Sequence, residues 1–135
     1  MKVKLLDSEG KGQGIFAADD IKKGEYHVAS GILIPRTSMP QNSELWMYVF
    51  STREGSGDIL LLFDWCSRIN CAESDKEVNI IYRYIGDGKV VFEAVRDIKK
   101  GEEILTSYGY DVVEHARVHH IDIDAWNKKT SSKSK

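Results

Sequence analysis

Asp97-Ile98-Lys99-Lys100-Gly101-Glu102-Glu103-Ile104-Leu105-Thr106-Ser107-Tyr108-Gly109-Tyr110 is the stretch on which the reading of this chain turns. Its opening hexapeptide, Asp-Ile-Lys-Lys-Gly-Glu, has already occurred at Asp20 to Glu25. Each copy follows a short apolar stretch with a phenylalanine, Ile15-Phe16-Ala17-Ala18 and Val90-Val91-Phe92-Glu93-Ala94. Lys-Gly punctuates a turn, so one strand–turn–strand device is used twice. Only the second copy runs on into Tyr-Gly-Tyr. A tyrosine held a fixed distance past a rigid turn can serve as a positioned phenol, although two similar turns in a β protein would look the same.

Outward from that segment the chain is rich in short strand-like runs. They are Val3 to Leu6, Gly14 to Ala17, Glu25 to Val28, Ile32 to Ile34, Ile59 to Phe63, Asn79 to Tyr84, Val90 to Ala94 and Ile104 to Thr106. Turn-formers separate them, and Asp87-Gly88 between Tyr84-Ile85 and Val90-Val91 is a hairpin signal. Two helices are expected: Ser43 to Phe50, with Ser43 as cap, and one within Asp111 to His119, capped by Asp111. Many short strands and few helices argue a mostly β fold.

At 135 residues the chain suits one domain with a single core. An apolar share of 41% and a charged share of 30% are those of an ordinary soluble globule. No apolar run reaches membrane-span length and no secretory leader is apparent, so an intracellular protein, nuclear or cytoplasmic, is expected. The tail Asn127 to Lys135 holds four lysines and no acid, and reads as a disordered basic end. Without the tail, 15 basic and 21 acidic residues leave a net charge of −6. Such a body repels nucleic acid and suits a basic protein or peptide. Cys66 and Cys71 form no Cys-x-x-Cys pair, and His119-His120 with Asp122 and Asp124 makes no tetrahedral set. No metal site is expected, and both cysteines read as buried or half-buried free thiols.

Four further pieces bear on function. Lys11-Gly12-Gln13-Gly14 puts two glycines before a strand, where backbone can approach a ligand closely. Leu45 to Phe50 is an aromatic cluster. Arg68-Ile69-Asn70-Cys71 follows an apolar run, and Val78-Asn79 comes next. Taken in order, from about Lys11 to Tyr110, these pieces resemble the SET-domain protein lysine methyltransferases, in the minimal stand-alone form found in a chlorovirus. Gly101-Glu102-Glu103-Ile104 through Tyr108-Gly109 is the most specific match. The chain departs from the family pattern at Cys71, where a histidine is usual, at Ala72 and Val78, and at Gln13.

The resemblance implies small curved β-sheets with a threaded C-terminal segment, a SET-type domain over residues 1–126 and the tail over 127–135. It implies methyl transfer from S-adenosylmethionine to a lysine side chain of a basic protein such as a histone, with S-adenosylhomocysteine as product. Tyr108 is the implied catalytic residue. Lys11, Gly12, Gln13, Gly14, Arg68, Ile69, Asn70, Cys71 and Tyr108 are the implied cofactor contacts. Tyr48, Thr106, Tyr110 and Trp126 are the implied substrate-channel residues. A homodimer is compatible with the resemblance. The alternative is a SET-like interaction module with weak or no catalysis, for which Cys71 and the charged stretch Glu73 to Glu77 argue.

Overall fold

The computed structural model describes residues 1–52 and 58–107, with the single positions Arg117, Asp122 and Asp124. Within them lie nine strands: β1 (Val3–Ser8), β2 (Gly12–Ala17), β3 (Tyr26–Pro35), β4 (Val49–Ser51), β5 (Asp58–Leu62), β6 (Asn70–Cys71), β7 (Ile80–Gly86), β8 (Lys89–Ala94) and β9 (Leu105–Thr106). They form three sheets. β1 and β2 make a hairpin, β4-β5-β3-β8-β7 a five-stranded antiparallel sheet, and β6 and β9 a parallel pair.

β3 is one strand where the sequence suggested two. Tyr26 to Ser30 pair with β8, and Gly31 to Pro35 pair with β5, so β3 joins the two halves of the large sheet. The Asp87-Gly88 hairpin between β7 and β8 is present, with φ of 55° and 72° at the two turn residues. These are the positive values that a two-residue hairpin of matching twist requires.

The helix expected over Ser43 to Phe50 is a single 3-10 turn, Glu44–Met47. Ser43 caps it, its hydroxyl accepting from the Leu45 N–H at 3.2 Å. The helix stops because Val49 and Phe50 turn into β4 and pair with Leu61 and Leu60. Burying both side chains in sheet pairing outweighs one more helical turn. Trp46, Val49 and Ile59 form a small satellite core there. The second expected helix, Asp111 to His119, lies outside the described residues, Arg117 excepted. No helix among the described residues is long and apolar enough to cross a membrane.

The main core is built around Phe50, Tyr82 and Phe92, with Phe50 edge-on to the other two rings at 5.2 and 5.8 Å. Ile15, Ile21, Ile69, Ile80, Ile98 and Ile104 close it, each no more than 2% exposed. Each such side chain contributes about 1.5–3 kcal/mol of burial.

The repeated hexapeptides meet each other. Ile21 and Ile98 form an antiparallel bridge, each N–H donating to the other's carbonyl at 2.7 Å. Asp97 accepts from the Lys23 N–H and Asp20 from the Lys100 N–H, both at 2.9 Å. Each glutamate folds back on its own turn, Glu25 on the Lys22 N–H and Glu102 on the Lys99 N–H, both at 3.0 Å. Gly24 N–H donates to Ala94 and Gly101 N–H to Ala17, at 2.9 and 2.8 Å. Both glycines sit at φ near +90° (90° and 93°), a conformation other residues adopt only under strain. The two copies are thus related by a local pseudo-twofold axis, and each supplies the caps of the other.

Candidate active site

The second hexapeptide delivers Glu103 to Thr106 into the middle of the molecule. Ile104 N–H donates to Ile15 of β2 at 2.7 Å. On one side Asn70 and Cys71 pair in parallel with Leu105 and Thr106, and the Ala72 N–H donates to Thr106 at 2.7 Å. On the other side the Asn79 N–H donates to Leu105 at 3.1 Å. The 70–79 loop therefore grips both edges of β9.

Asn79, 1% exposed, does this gripping with its side chain as well. Its Nδ2 donates to the Glu103 carbonyl at 2.8 Å and its Oδ1 accepts from the Leu105 N–H at 2.9 Å. An asparagine here replaces a missing strand partner, satisfying buried backbone groups that would otherwise be unpaired.

Glu103 is the hub of the site. Its Oε1 accepts from Ser8 Oγ at 2.7 Å and its Oε2 from Asn70 Nδ2 at 2.9 Å. Asn70 Nδ2 also donates to the Gln13 carbonyl at 3.0 Å. An amide nitrogen has two protons, and both are used. Among the described residues the Asn70 Oδ1 takes no hydrogen bond, so what Asn70 presents outward is an acceptor. Gly14 lies against this pair, and a Cβ there would come within 2.7 Å of Asn70 Nδ2 and closer still to the Glu103 carboxylate. The glycine leaves room for an internal carboxylate–amide pair, which a side chain there would displace, whether or not a ligand is near.

Arg68 connects the glycine segment to the aromatic cluster. Its Nη2 donates to Gln13 Oε1 at 3.0 Å, and its guanidinium carbon stands 5.8 Å from the Tyr48 ring centroid. The local turn explains the placement. Asp64 caps the 3-10 turn Trp65–Arg68, accepting from the Cys66 N–H at 2.9 Å, and the chain leaves the turn through buried Ile69 into β6. Burial alone would raise the Asp64 carboxyl. Hydrogen bonds from His27 and Cys66 outweigh that and hold it below its ordinary value of 3.8.

Of the residues named from sequence, Gln13, Gly14, Arg68, Asn70 and Tyr48 are therefore joined by direct contacts. Gly12 opens β2 at a φ of 76°. Lys11 lies in the turn before it, with its N–H donating to Ser8. Ile69 is fully buried, and its N–H donates to the Cys66 carbonyl at 3.3 Å. Half-buried Cys71 is the bridge partner of Thr106, whose buried hydroxyl has no hydrogen-bond partner among the described residues. Both cysteines are free, Cys66 buried and Cys71 half-buried, as their spacing suggested. Tyr108, Tyr110 and Trp126 lie outside the described residues.

Sequence reasoning passed over Glu103, Ser8 and the gripping role of Asn79. One signal for Glu103 was available: successive side chains on extended backbone face opposite ways. Of the adjacent Glu102 and Glu103 one must point in. Glu102 faces out, 3.7 Å from Arg96.

The chain is 31% identical over 126 residues to the zebrafish (Danio rerio) N-lysine methyltransferase KMT5A-A, a match covering 81% of this chain and 35% of that protein. It superposes with a TM-score of 0.64 and 27% identity on a humanized mutant of the Chaetomium thermophilum Polycomb Repressive Complex 2, covering 86% of this chain and 16% of that one. The methyltransferase domain of human PR domain-containing protein 2 shares the fold at a TM-score of 0.56 and 23% identity, over 81% of this chain and 78% of that one. The chain thus spans about a third of the length of its zebrafish relative. The family model of the SET domain matches residues 12–109, from the first strand-opening glycine to just past β9. By that match, and in keeping with the shared fold, the chain belongs to the SET-domain family.

Proposed function

We propose that the chain is a protein-lysine N-methyltransferase that draws its methyl group from S-adenosylmethionine. The observation that carries this reading is the one-sided presentation of Asn70. With both amide protons held by Gln13 and Glu103, its Oδ1, which takes no hydrogen bond among the described residues, suits an ammonium donor, such as the amino end of the cofactor's methionine part. Arg68 uses one N–H on Gln13 and has others to offer a carboxylate. Gln13, Gly14, Arg68, Asn70 and the backbone of Cys71 would hold the cofactor, with buried Ile69 setting their positions from beneath. When bound, it supplies an electrophilic methyl on a cationic sulfur.

The residues of the chain have two tasks. They must align an amine with that methyl, and alignment can be worth about 7–11 kcal/mol. They must also keep the amine neutral, since a free lysine has a pKa of about 10.4. An aromatic channel beside a cation disfavours the ammonium through desolvation and like charge. Tyr48, Tyr110 and Trp126 are proposed as its walls, and Thr106 as a small residue at its end. Tyr108 is proposed to orient the amine lone pair through its hydroxyl and to face the cationic centre with its ring. The acidic body, at net −6 without the tail, favours a lysine in a basic segment such as a histone tail. The zebrafish relative is named an N-lysine methyltransferase, which supports the same reading.

The test is calorimetric titration with S-adenosylmethionine, followed by mass-spectrometric assay on histone peptides. Micromolar binding and mass gains of one methyl unit are expected. Binding without turnover on any peptide would leave a SET-like interaction module, and no binding at millimolar cofactor would overturn the reading.

A further inference from the structure

Beneath the Trp65–Arg68 turn the fold collects a second cluster, from residues far apart in sequence. His27 comes from β3, and Asp64 and Cys66 from the turn. His27 Nε2 lies 2.7 Å from Asp64 Oδ2. One nitrogen, one carboxylate oxygen and the Cys66 sulfur all fall within 4.8 Å of one another. Trp65 stacks on the His27 ring at a centroid distance of 4.8 Å and limits its swing. The cluster is buried at Cys66 and open at the other end, with the His27 and Asp64 side chains 29% and 35% exposed.

We propose that His27, Asp64 and Cys66 form a binding site for a divalent metal of the zinc type, with solvent as fourth ligand. The donor set is mixed nitrogen, oxygen and sulfur, which suits a borderline ion and not a hard one such as calcium or magnesium. Bond lengths of about 2.0–2.3 Å at tetrahedral angles place donor atoms roughly 3.5 Å apart. The His27–Asp64 contact must open and the widest separation close, each by roughly 1 Å, and the exposed His27 edge permits that.

The charges balance. Without metal the Cys66 thiol stays protonated, because burial and the adjacent Asp64 carboxylate both push its pKa up. A dication cancels one thiolate and one carboxylate. On binding, the thiol proton leaves to solvent, and the neutral imidazole carries its proton on Nδ1. The bound ion would fasten β3 to the turn that aims Arg68 and leads to Asn70. It would therefore set the rigidity of the candidate active site from outside it. The inference does not depend on what that site transfers.

The full chain carrying Cys71→Ser, stripped with a chelator and reduced, is titrated with Co²⁺ as the spectroscopic stand-in for Zn²⁺. One equivalent should raise a near-ultraviolet sulfur-to-cobalt charge-transfer band, which one equivalent of Zn²⁺ then abolishes. With Cys71 replaced, only Cys66 can give that band. The remaining histidines, His115, His119 and His120, contribute nitrogen alone. His27→Gln, at a half-exposed position and with Cys66 kept, should weaken Co²⁺ binding at least tenfold while far-ultraviolet circular dichroism stays unchanged. Absence of the sulfur band, its persistence in Cys66→Ala, or unchanged affinity in His27→Gln would overturn the proposal.

Discussion

Replacing Asn70 by Asp exchanges one nitrogen for an oxygen and changes nothing in size. It sets a carboxylate oxygen 2.9 Å from Glu103 Oε2 and 3.0 Å from the Gln13 carbonyl oxygen, where two donated hydrogen bonds stood. Two full charges that close repel by about 6 kcal/mol at an effective dielectric of about 20. The pair has a cheaper way out, which is to take up one proton. Holding a carboxyl protonated at pH 7, about three pH units above its ordinary range near 4, costs about 4 kcal/mol. The acquired O–H can serve only one of the two former acceptors, which adds about 1 kcal/mol. Asn70→Asp should therefore lose about 3–5 kcal/mol of stability at pH 7. The sign with pH follows from the raised carboxyl of the folded pair. The variant is nearest to wild type at about pH 4 and worsens by about 1.4 kcal/mol per pH unit above it. Adding Glu103→Gln restores a donor opposite the new carboxylate and should recover at least half the loss, although Glu103→Gln alone sets two amides against each other. Urea unfolding by tryptophan fluorescence between pH 4 and 8 measures all four corners of the cycle. A penalty under about 1 kcal/mol, flat with pH and without coupling to Glu103→Gln, would show that Asn70 is not held by Glu103, and its acceptor-outward orientation would fall with it.

Gly14→Ala should displace the same pair, weakening S-adenosylmethionine binding at least tenfold and costing about 1–2 kcal/mol, where an unhindered Gly→Ala would gain about 0.4–1 kcal/mol; calorimetry and urea midpoints decide, and a gain in stability would refute the contact. Asn79→Ala strands the Leu105 N–H and the Glu103 carbonyl, at about 1–3 kcal/mol each, and should speed hydrogen exchange at Leu105 before any other buried amide. Tyr108→Phe should abolish most turnover while leaving cofactor affinity nearly unchanged, and undiminished methylation would remove Tyr108 from the mechanism. Asp64, held below its ordinary value of 3.8, adds stability that is fully present above that pH and is lost as pH falls through its lower folded value. Asp64→Asn should therefore trail wild type at pH 5, by a margin that shrinks in acid titrations below about pH 4.

The repeated hexapeptide and the Asp87-Gly88 turn were legible because their information is local: φ-positive glycines and apolar runs announce strands and turns. That the two hexapeptides would cap each other was not, since Asp20 finds the Lys100 N–H only through the fold. β4 was misread as helix because Trp46, Val49 and Phe50 satisfy either period until Leu60 and Leu61 are known to lie alongside. β6 is two residues long and has no pattern at all; it exists because β9 passes beside it. The resemblance named Gln13, Gly14, Arg68 and Asn70, which the fold brings into contact, but not the Glu103 carboxylate that crowds Gly14. The His27, Asp64 and Cys66 cluster had no motif to find, as its nitrogen arrives on β3 from 37 residues before its carboxylate.

The mutual capping of the two hexapeptides has a consequence for how the chain folds. Ile21 and Ile98 are separated by roughly 77 residues, and closing such a loop costs about 4 kcal/mol of chain entropy by the logarithmic term alone. Neither turn has its aspartate caps, nor β2 its outer partner Glu103, until that closure is made. The β1–β2 pairing is local, but both turns and the outer edge of β2 must wait for the segment from Asp97 to Glu103 to be synthesised. Folding should be slow, as high contact order dictates, and the two hexapeptides should finish in one cooperative step.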